Sequence, residues 1–392
     1  MGYIARMIPR HLKTELQTQL TEYPIVTVLG PRQAGKTTLA RAVLPDYTYV
    51  SLENPDTREL ATEDPRAFLK RYASRAIFDE IQRAPHLLSY LQGMVDENKD
   101  NGQFVLTGSH QLQLRESVTQ SLAGRTGILQ LLPLSIAELT QAGFSFEDAS
   151  SYIFQGFLPR VYDQQQRPHV AYSAYFQSYV ERDVRQLIKL KDMVLFEKFM
   201  KLLAGRVGQL INYQSLANDT GVDSKTIKDW LSILEASYVV FRLPPYFENF
   251  GKRVIKTPKI HFTNTGLLCY RLGIERIDQV ARDPLVGNLF ENLIVLEALK
   301  ARYNKGLSPN LYFFRDNQGH EIDLLHKQGA ALLGSEIKSA STWHSSFKRS
   351  LDTFDKDIHP LARRSVVYSG EAMDLSDGTE VVSYKNMQAL FG

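Results

Sequence analysis

Residues 30–37 read Gly-Pro-Arg-Gln-Ala-Gly-Lys-Thr, between the apolar run PIVTVLG and the helix-forming stretch TTLARAVL. The spacing G-x-x-x-x-G-K-T between a strand and a helix is the phosphate-binding P-loop, or Walker A, pattern. Gly30 and Gly35 permit the tight backbone that turns amide N–H groups toward phosphate oxygens, and the helix start adds a favourable dipole. The expected nucleotide-binding set is Gly30, Pro31, Arg32, Gln33, Ala34, Gly35, Lys36, Thr37 and Thr38. Lys36 reaches the β- and γ-phosphates of ATP, and the Thr37 hydroxyl ligates Mg²⁺. This loop commits the chain to an α/β fold in which a strand delivers its C-terminal end to a ligand.

A second apolar run, AIFDE at 76–80, ends in two acids. Asp79 is expected to hold the Mg²⁺ shell and Glu80 to polarise the attacking water. The next strand, FVLTGS, ends in Thr107 and Ser109, positioned to sense the γ-phosphate. Arg125, in SLAGRTG, reads equally as an arginine finger or sensor and as a structural arginine.

The runs PIVTVLG, YTYVSL, RAIFDE, GQFVLTG and GILQLLPL alternate with helical stretches from about 25 to 135. That alternation predicts a parallel sheet covered by helices on both faces. Residues 136–194 read as a helical lid. Residues 195–255 read as a winged helix-turn-helix: a helix ending at Gly221, a second helix with Ser224 as N-cap, then strands within VVFRLPPY and RVIKTPKIHF. The second helix of such a unit meets DNA with its first residues, here Ser224, Lys225, Thr226 and Lys228, with Arg242 or Arg253 on the wing. The same unit also serves as a protein contact or as a lid, and the sequence leaves these alternatives open.

The last unit, 256–392, mixes the long helix LVGNLFENLIVLEALKARY with four strand-like runs. HEID at 320–323 and GSEIKS at 334–339 form the arms of a hairpin turning at KQGA. A strand period of two puts Glu336 and Lys338 on one face, with Asp323 across from them. Asp323 and Glu336 would hold Mg²⁺ or Mn²⁺, Lys338 would act on a phosphate oxygen, and Glu291 on the preceding helix would add a further acidic ligand.

Composition excludes other classes. The net charge of +3 over 392 residues neither demands nor excludes nucleic acid. A lone cysteine, Cys269, rules out an internal disulfide and a cysteine-based zinc site, and fits a cytoplasmic location. No apolar run approaches the ~20 residues of a membrane span. The start, MGYIARMIPRHLKTEL, lacks the apolar centre of a secretory signal.

The order GPRQAGKTT, FDEIQ, LTGS, SLAGR, LLPLS resembles a branch of the AAA+ ATPases common in bacteria and archaea. Members often carry a C-terminal domain of unknown function with a restriction-endonuclease-like fold. FTNTGLL, LFEN and the EID…EIK pair are similar to that domain, and Asp323, Glu336 and Lys338 to the D…ExK core of such nucleases. The helix after the hairpin, WHSSFKRSLDTFDKDI, lacks the glutamine–tyrosine motif of some exonuclease relatives. The resemblance implies ATP hydrolysis and assembly into a homo-oligomer.

Overall fold

The computed structural model describes residues 8–73, 75–109, 121–181, 193–247 and 255–391. The first unit is led by α1 (Leu12–Glu22), then β1 (Ile25–Leu29), α2 (Lys36–Val43), β2 (Thr48–Ser51), α3 (Pro55–Glu63), α4 (Pro65–Arg71), β3 (Ala76–Asp79), α5 (Leu87–Glu97), β4 (Phe104–Gly108) and β5 (Thr126–Gln130). The five strands form one parallel sheet in the order β2-β3-β4-β1-β5.

Both faces of this sheet are covered, as the near-continuous apolar strands require. On one face Val26, Val28, Ile77 and Val105 meet Leu12 and Leu16 of α1 and Leu39 of α2. On the other, Ile25, Phe78, Phe104 and Leu106 meet Phe68 of α4 and Leu87 and Leu91 of α5. The sequence reading passed over α1, α3 and α4. Pro55 and Pro65 open the last two helices, behind the N-caps Asn54 and Asp64.

The chain continues helically through α6 (Ile136–Gln141), α7 (Ala149–Gln155), α8 (Pro159–Asp163) and α9 (Pro168–Tyr175), which runs into a π-helical stretch, Phe176–Glu181. Next come α10 (Met193–Ala204), α11 (Tyr213–Thr220), α12 (Ser224–Ala236), and the antiparallel pair β6 (Val240–Leu243) and β7 (Lys259–Phe262). Gly221 closes α11 at φ 93°, a left-handed position where glycine carries no side-chain penalty. The N-cap of α12 is Asp223, not Ser224: its carboxylate accepts from the Thr226 N–H at 2.7 Å. Adjacent Asp and Ser are both good caps, and the anionic acceptor prevails.

The last unit comprises α13 (Thr265–Leu272), α14 (Ile277–Val280), α15 (Val286–Tyr303), β8 (Leu311–Arg315), β9 (Glu321–Gln328), β10 (Ala331–Lys338), α16 (Arg349–Asp357), β11 (Arg363–Tyr368), β12 (Met373–Asp374) and β13 (Glu380–Ser383). Its strands make a mixed sheet in the order β12-β13-β11-β10-β9-β8. β9 and β10 form the expected hairpin, with Gly329 at φ 61° in the turn. Two phrases behind the family resemblance prove to be packing devices. A Cβ on Gly266 would come within 2.1 Å of the Tyr172 ring. Buried Asn292 pairs with both backbone groups of Phe262, accepting at 2.7 Å and donating at 3.0 Å, so it extends the β7 edge.

Candidate nucleotide site and C-terminal carboxylate cluster

Parallel strands bring the P-loop, the acidic pair and the two hydroxyls to one edge of the first sheet. The sheet order sets β4 between β1 and β3, so Thr107 and Ser109 lie between the loop and the acids. The loop is shaped by two glycines. A Cβ on Gly30 would lie 2.0 Å from the Leu131 carbonyl oxygen, and Gly35 sits at φ 90°.

Thr37 Oγ1 donates to Asp79 at 2.9 Å, Tyr49 Oη donates to the same carboxylate at 2.8 Å, and Thr107 Oγ1 donates to it as well. A hydroxyl and a carboxylate on adjacent elements are the hard oxygen donors that Mg²⁺ takes beside nucleotide phosphates. Thr37 and Asp79 would hold the ion, which when bound neutralises phosphate charge.

Glu80 adopts φ 58°, an unusual conformation for a side chain of its size. Its N–H donates to Thr107 at 3.3 Å, and Ser109 Oγ donates to its carboxylate at 3.0 Å, joined by Gln82. Burial disfavours the Glu80 anion, but Lys36 and Arg32 outweigh burial and lower its pKa. Burial likewise lowers the Lys36 pKa, against the pull of Glu80 and Asp79. Lys36 Nζ donates to the Gly30 and Pro31 carbonyls at 2.9 Å each. A phosphate oxygen is a stronger acceptor than either. Lys36→Ala is therefore expected to weaken ATP binding by about 100-fold, as for a lost charged hydrogen bond. Titration calorimetry showing near-parental affinity would refute the assignment.

The cleft over these residues measures about 580 Å³ and draws Arg160, Gln164 and Tyr179 from the helices after the sheet. Arg32 pairs with Glu53 at 3.3 Å and lies over the Tyr179 ring. The sequence reading missed Arg160, because nothing local marks a helix start as facing a loop far upstream.

Arg125 is elsewhere. It precedes β5, which runs parallel to β1, so it stands at the sheet edge opposite the P-loop, in an ion pair with Asp96 at 2.6 Å. Arg125 therefore does not line the phosphate cleft of its own chain.

Arg10 was also missed. It donates to the Ala34 carbonyl inside the P-loop, to the Leu132 carbonyl at 2.6 Å, and to buried Glu138 at 3.0 Å. Glu138 completes a capping box with Ser135 at the start of α6. The next N–H, of Ile136, donates to Glu297 of α15 at 2.9 Å. Lys300, one turn on, donates to Glu297 and to the Leu134 carbonyl, both at 2.7 Å. An unbroken polar chain thus runs from the P-loop backbone to the main helix of the last unit. Its one sequence signal was S-x-x-E at 135–138.

In the C-terminal hairpin, Glu336 and Asp323 stand one step beyond the ladder pair Ser335–Leu324. Lys338 Nζ lies between them, 3.3 Å from Asp323 and in contact with Glu336. Asp323 also accepts the Ile337 N–H at 2.8 Å. Glu336 is buried, with Oε1 lacking a hydrogen-bond partner among the described residues. Burial and Asp323 raise its pKa well above the usual range. Glu291 does not join them as a third ligand. Lys259 of β7 claims it at 2.9 Å and Glu321 at 2.6 Å. Burial raises the Glu291 pKa to about 7 despite that lysine. Among the described residues no group of three or more His, Cys, Asp or Glu is gathered closely enough to hold a metal ion.

On α12, Lys225 and Lys228 are exposed, with Lys228 over the Tyr213 ring. Thr226 is drawn into the Asp223 cap, its hydroxyl at 3.2 Å, and Arg242 is paired with Glu235, so neither side chain points free. Arg253 lies outside the described residues. Cys269 is buried, its thiol pKa raised by burial, consistent with packing alone. Among the described residues no helix is long and apolar enough to cross a membrane.

Three families of domain match the chain. Residues 22–140 match an AAA domain, residues 146–278 the domain of unknown function DUF8612, and residues 286–387 the domain of unknown function DUF4143. The uncharacterized protein Rv2008c of Mycobacterium tuberculosis is 34% identical, over 92% of this chain and 80% of its own. The uncharacterized protein MJ1637 of Methanocaldococcus jannaschii is 25% identical, over 78% of this chain and 72% of its own. A Walker-type ATPase of Pyrococcus abyssi superposes with a TM-score of 0.45 at 14% identity, covering 68% of this chain and 96% of that one.

Proposed function

We propose that this chain, which carries an AAA domain and a DUF4143 domain and belongs to the family of the mycobacterial protein Rv2008c, is a Mg²⁺-dependent ATP hydrolase that acts on DNA. The observation that carries the ATPase half is the convergence of Lys36, Thr37, Asp79 and Glu80 at one sheet edge, with Thr107 and Ser109 between them. Lys36 binds phosphate, Glu80 takes the proton of the attacking water, and Arg160 faces the cleft from α8 as a further cation for phosphate charge.

The DNA half rests on α11, α12 and the β6–β7 pair as a winged helix-turn-helix, with Lys225 and Lys228 exposed at the start of the second helix. In this reading the last unit is restriction-endonuclease-like, and Asp323, Glu336 and Lys338 form its metal-dependent cleavage site. Assembly into a homo-oligomer would bring Arg125 of one subunit toward the nucleotide of the next.

A second reading has its own support. Lys259 and Lys338 already neutralise the C-terminal carboxylates, as they would in an ion-paired domain interface. The last unit would then only bind a partner and report it to the P-loop, making the protein a regulatory switch. ATP turnover and linear DNA loss, measured together in Mg²⁺ or Mn²⁺, separate the two. DNA is expected to stimulate turnover, and Lys225→Glu with Lys228→Glu to abolish that and flatten the salt dependence of binding by about two phosphate contacts. Turnover indifferent to DNA, with no cleavage that Asp323→Ala removes, would leave the switch.

A further inference from the structure

A second cavity, of about 500 Å³, adjoins the phosphate cleft across the first turn of α2. Its walls include Ile8, Pro9, Leu39, Val43 and Leu134. Gly35, Thr38, Pro159 and Asp163 line both cavities. A nucleotide whose phosphates lie on the P-loop and whose base enters the apolar cavity must carry its sugar past these four residues. Both volumes fall within the ordinary range for small-ligand sites.

Asp163 is the one acid among the four. It ends α8 and is partly exposed, with Oδ1 enclosed by the protein and the rest of the carboxylate open to the junction. Asp163 is only partly buried, so the junction presents a carboxylate to whatever part of a ligand crosses it. Burial raises the pKa of this group, against the opposing pull of Arg160 and of the Gln164 and Asp163 backbone N–H groups. Of the parts of a nucleotide, the phosphates are acceptors that a carboxylate repels. The ribose hydroxyls are donors, and hydroxyl-to-carboxylate bonds are short and strong. A carboxylate holding a ribose hydroxyl also occurs in dinucleotide-binding folds of unrelated design.

We infer that Asp163 accepts a hydrogen bond from a ribose hydroxyl of the bound nucleotide, so that the site selects ribonucleotides over deoxynucleotides. The inference rests on the nucleotide-binding reading above. Calorimetry of the full-length chain with ADP, 2′-deoxy-ADP and 3′-deoxy-ADP, each with Mg²⁺, tests it without turnover. Wild type is expected to bind ADP about 10-fold tighter than at least one deoxy form, and that form identifies the hydroxyl. Asp163→Ala is expected to bring the ratio near one while leaving the deoxy affinity unchanged, and Asp163→Asn to keep part of the preference, because an amide oxygen still accepts. Equal binding of all three by wild type, or an unchanged ratio in Asp163→Ala, would overturn the inference while the ATPase reading stands. Failure of wild type to bind any of them would remove both.

Discussion

Glu80→Gln is expected to leave ATP bound and to slow its hydrolysis by about 10²–10⁴-fold, the usual worth of a positioned base. The amide keeps the size and the contacts from Ser109 and Gln82 but cannot take a proton. Its backbone is held at φ 58° by the Thr107 contact, so the substitution changes the chemistry more than the geometry. Because Lys36 and Arg32 lower the Glu80 pKa below its ordinary 4.5, the group is a carboxylate in the free chain at neutral pH. The measurement is steady-state phosphate release alongside equilibrium nucleotide affinity. Parental turnover in the variant would show that another group positions the water. A loss of affinity comparable to that of Lys36→Ala would show that Glu80 shapes the pocket instead.

Lys300→Met is expected to cost about 3–5 kcal/mol of folding stability, the penalty for leaving a buried partner charge uncompensated. Lys300 and Glu297 are both fully enclosed, and Lys300 Nζ lies 3.5 Å from the Phe157 ring centroid. Burial lowers the Lys300 pKa even against the pull of Glu297. Removing the ammonium leaves Glu297 with neutral donors only, Ile136 N–H and Gln388 Nε2. Glu297→Gln added to Lys300→Met removes the stranded charge and should restore much of the loss. Urea unfolding of the three variants supplies the cycle. A single variant within about 1 kcal/mol of wild type would show that the pair contributes little to holding α15 on the segment after β5.

The sequence by itself determined the P-loop, Asp79 and Glu80, and the five parallel strands that carry them. Each is encoded locally: glycines where the backbone must turn tightly, acids at a strand end, apolar runs bounded by polar turns. The β9–β10 hairpin was legible for the same reason, since a period of two places Asp323 beside Glu336 once KQGA turns. The Asp223 cap was one residue from the expected one, because neighbouring Asp and Ser carry nearly equal local signals. Arg125 could be placed only once strand direction was fixed. In a parallel sheet the residue before a strand stands opposite the residue after it, which sets Arg125 away from the P-loop of its own chain. Tertiary structure alone decided the roles of Arg10, Glu138, Glu297 and Lys300. In sequence Glu297 and Lys300 are an i,i+3 charge pair of the kind that usually faces water on a helix. Only the packing of α15 against residues some 160 positions earlier turns that surface pattern into a buried link. Lys259 belongs to the same class: its partners Glu291 and Glu321 come from distant elements, and a charged side chain carries no local mark of what will be folded over it.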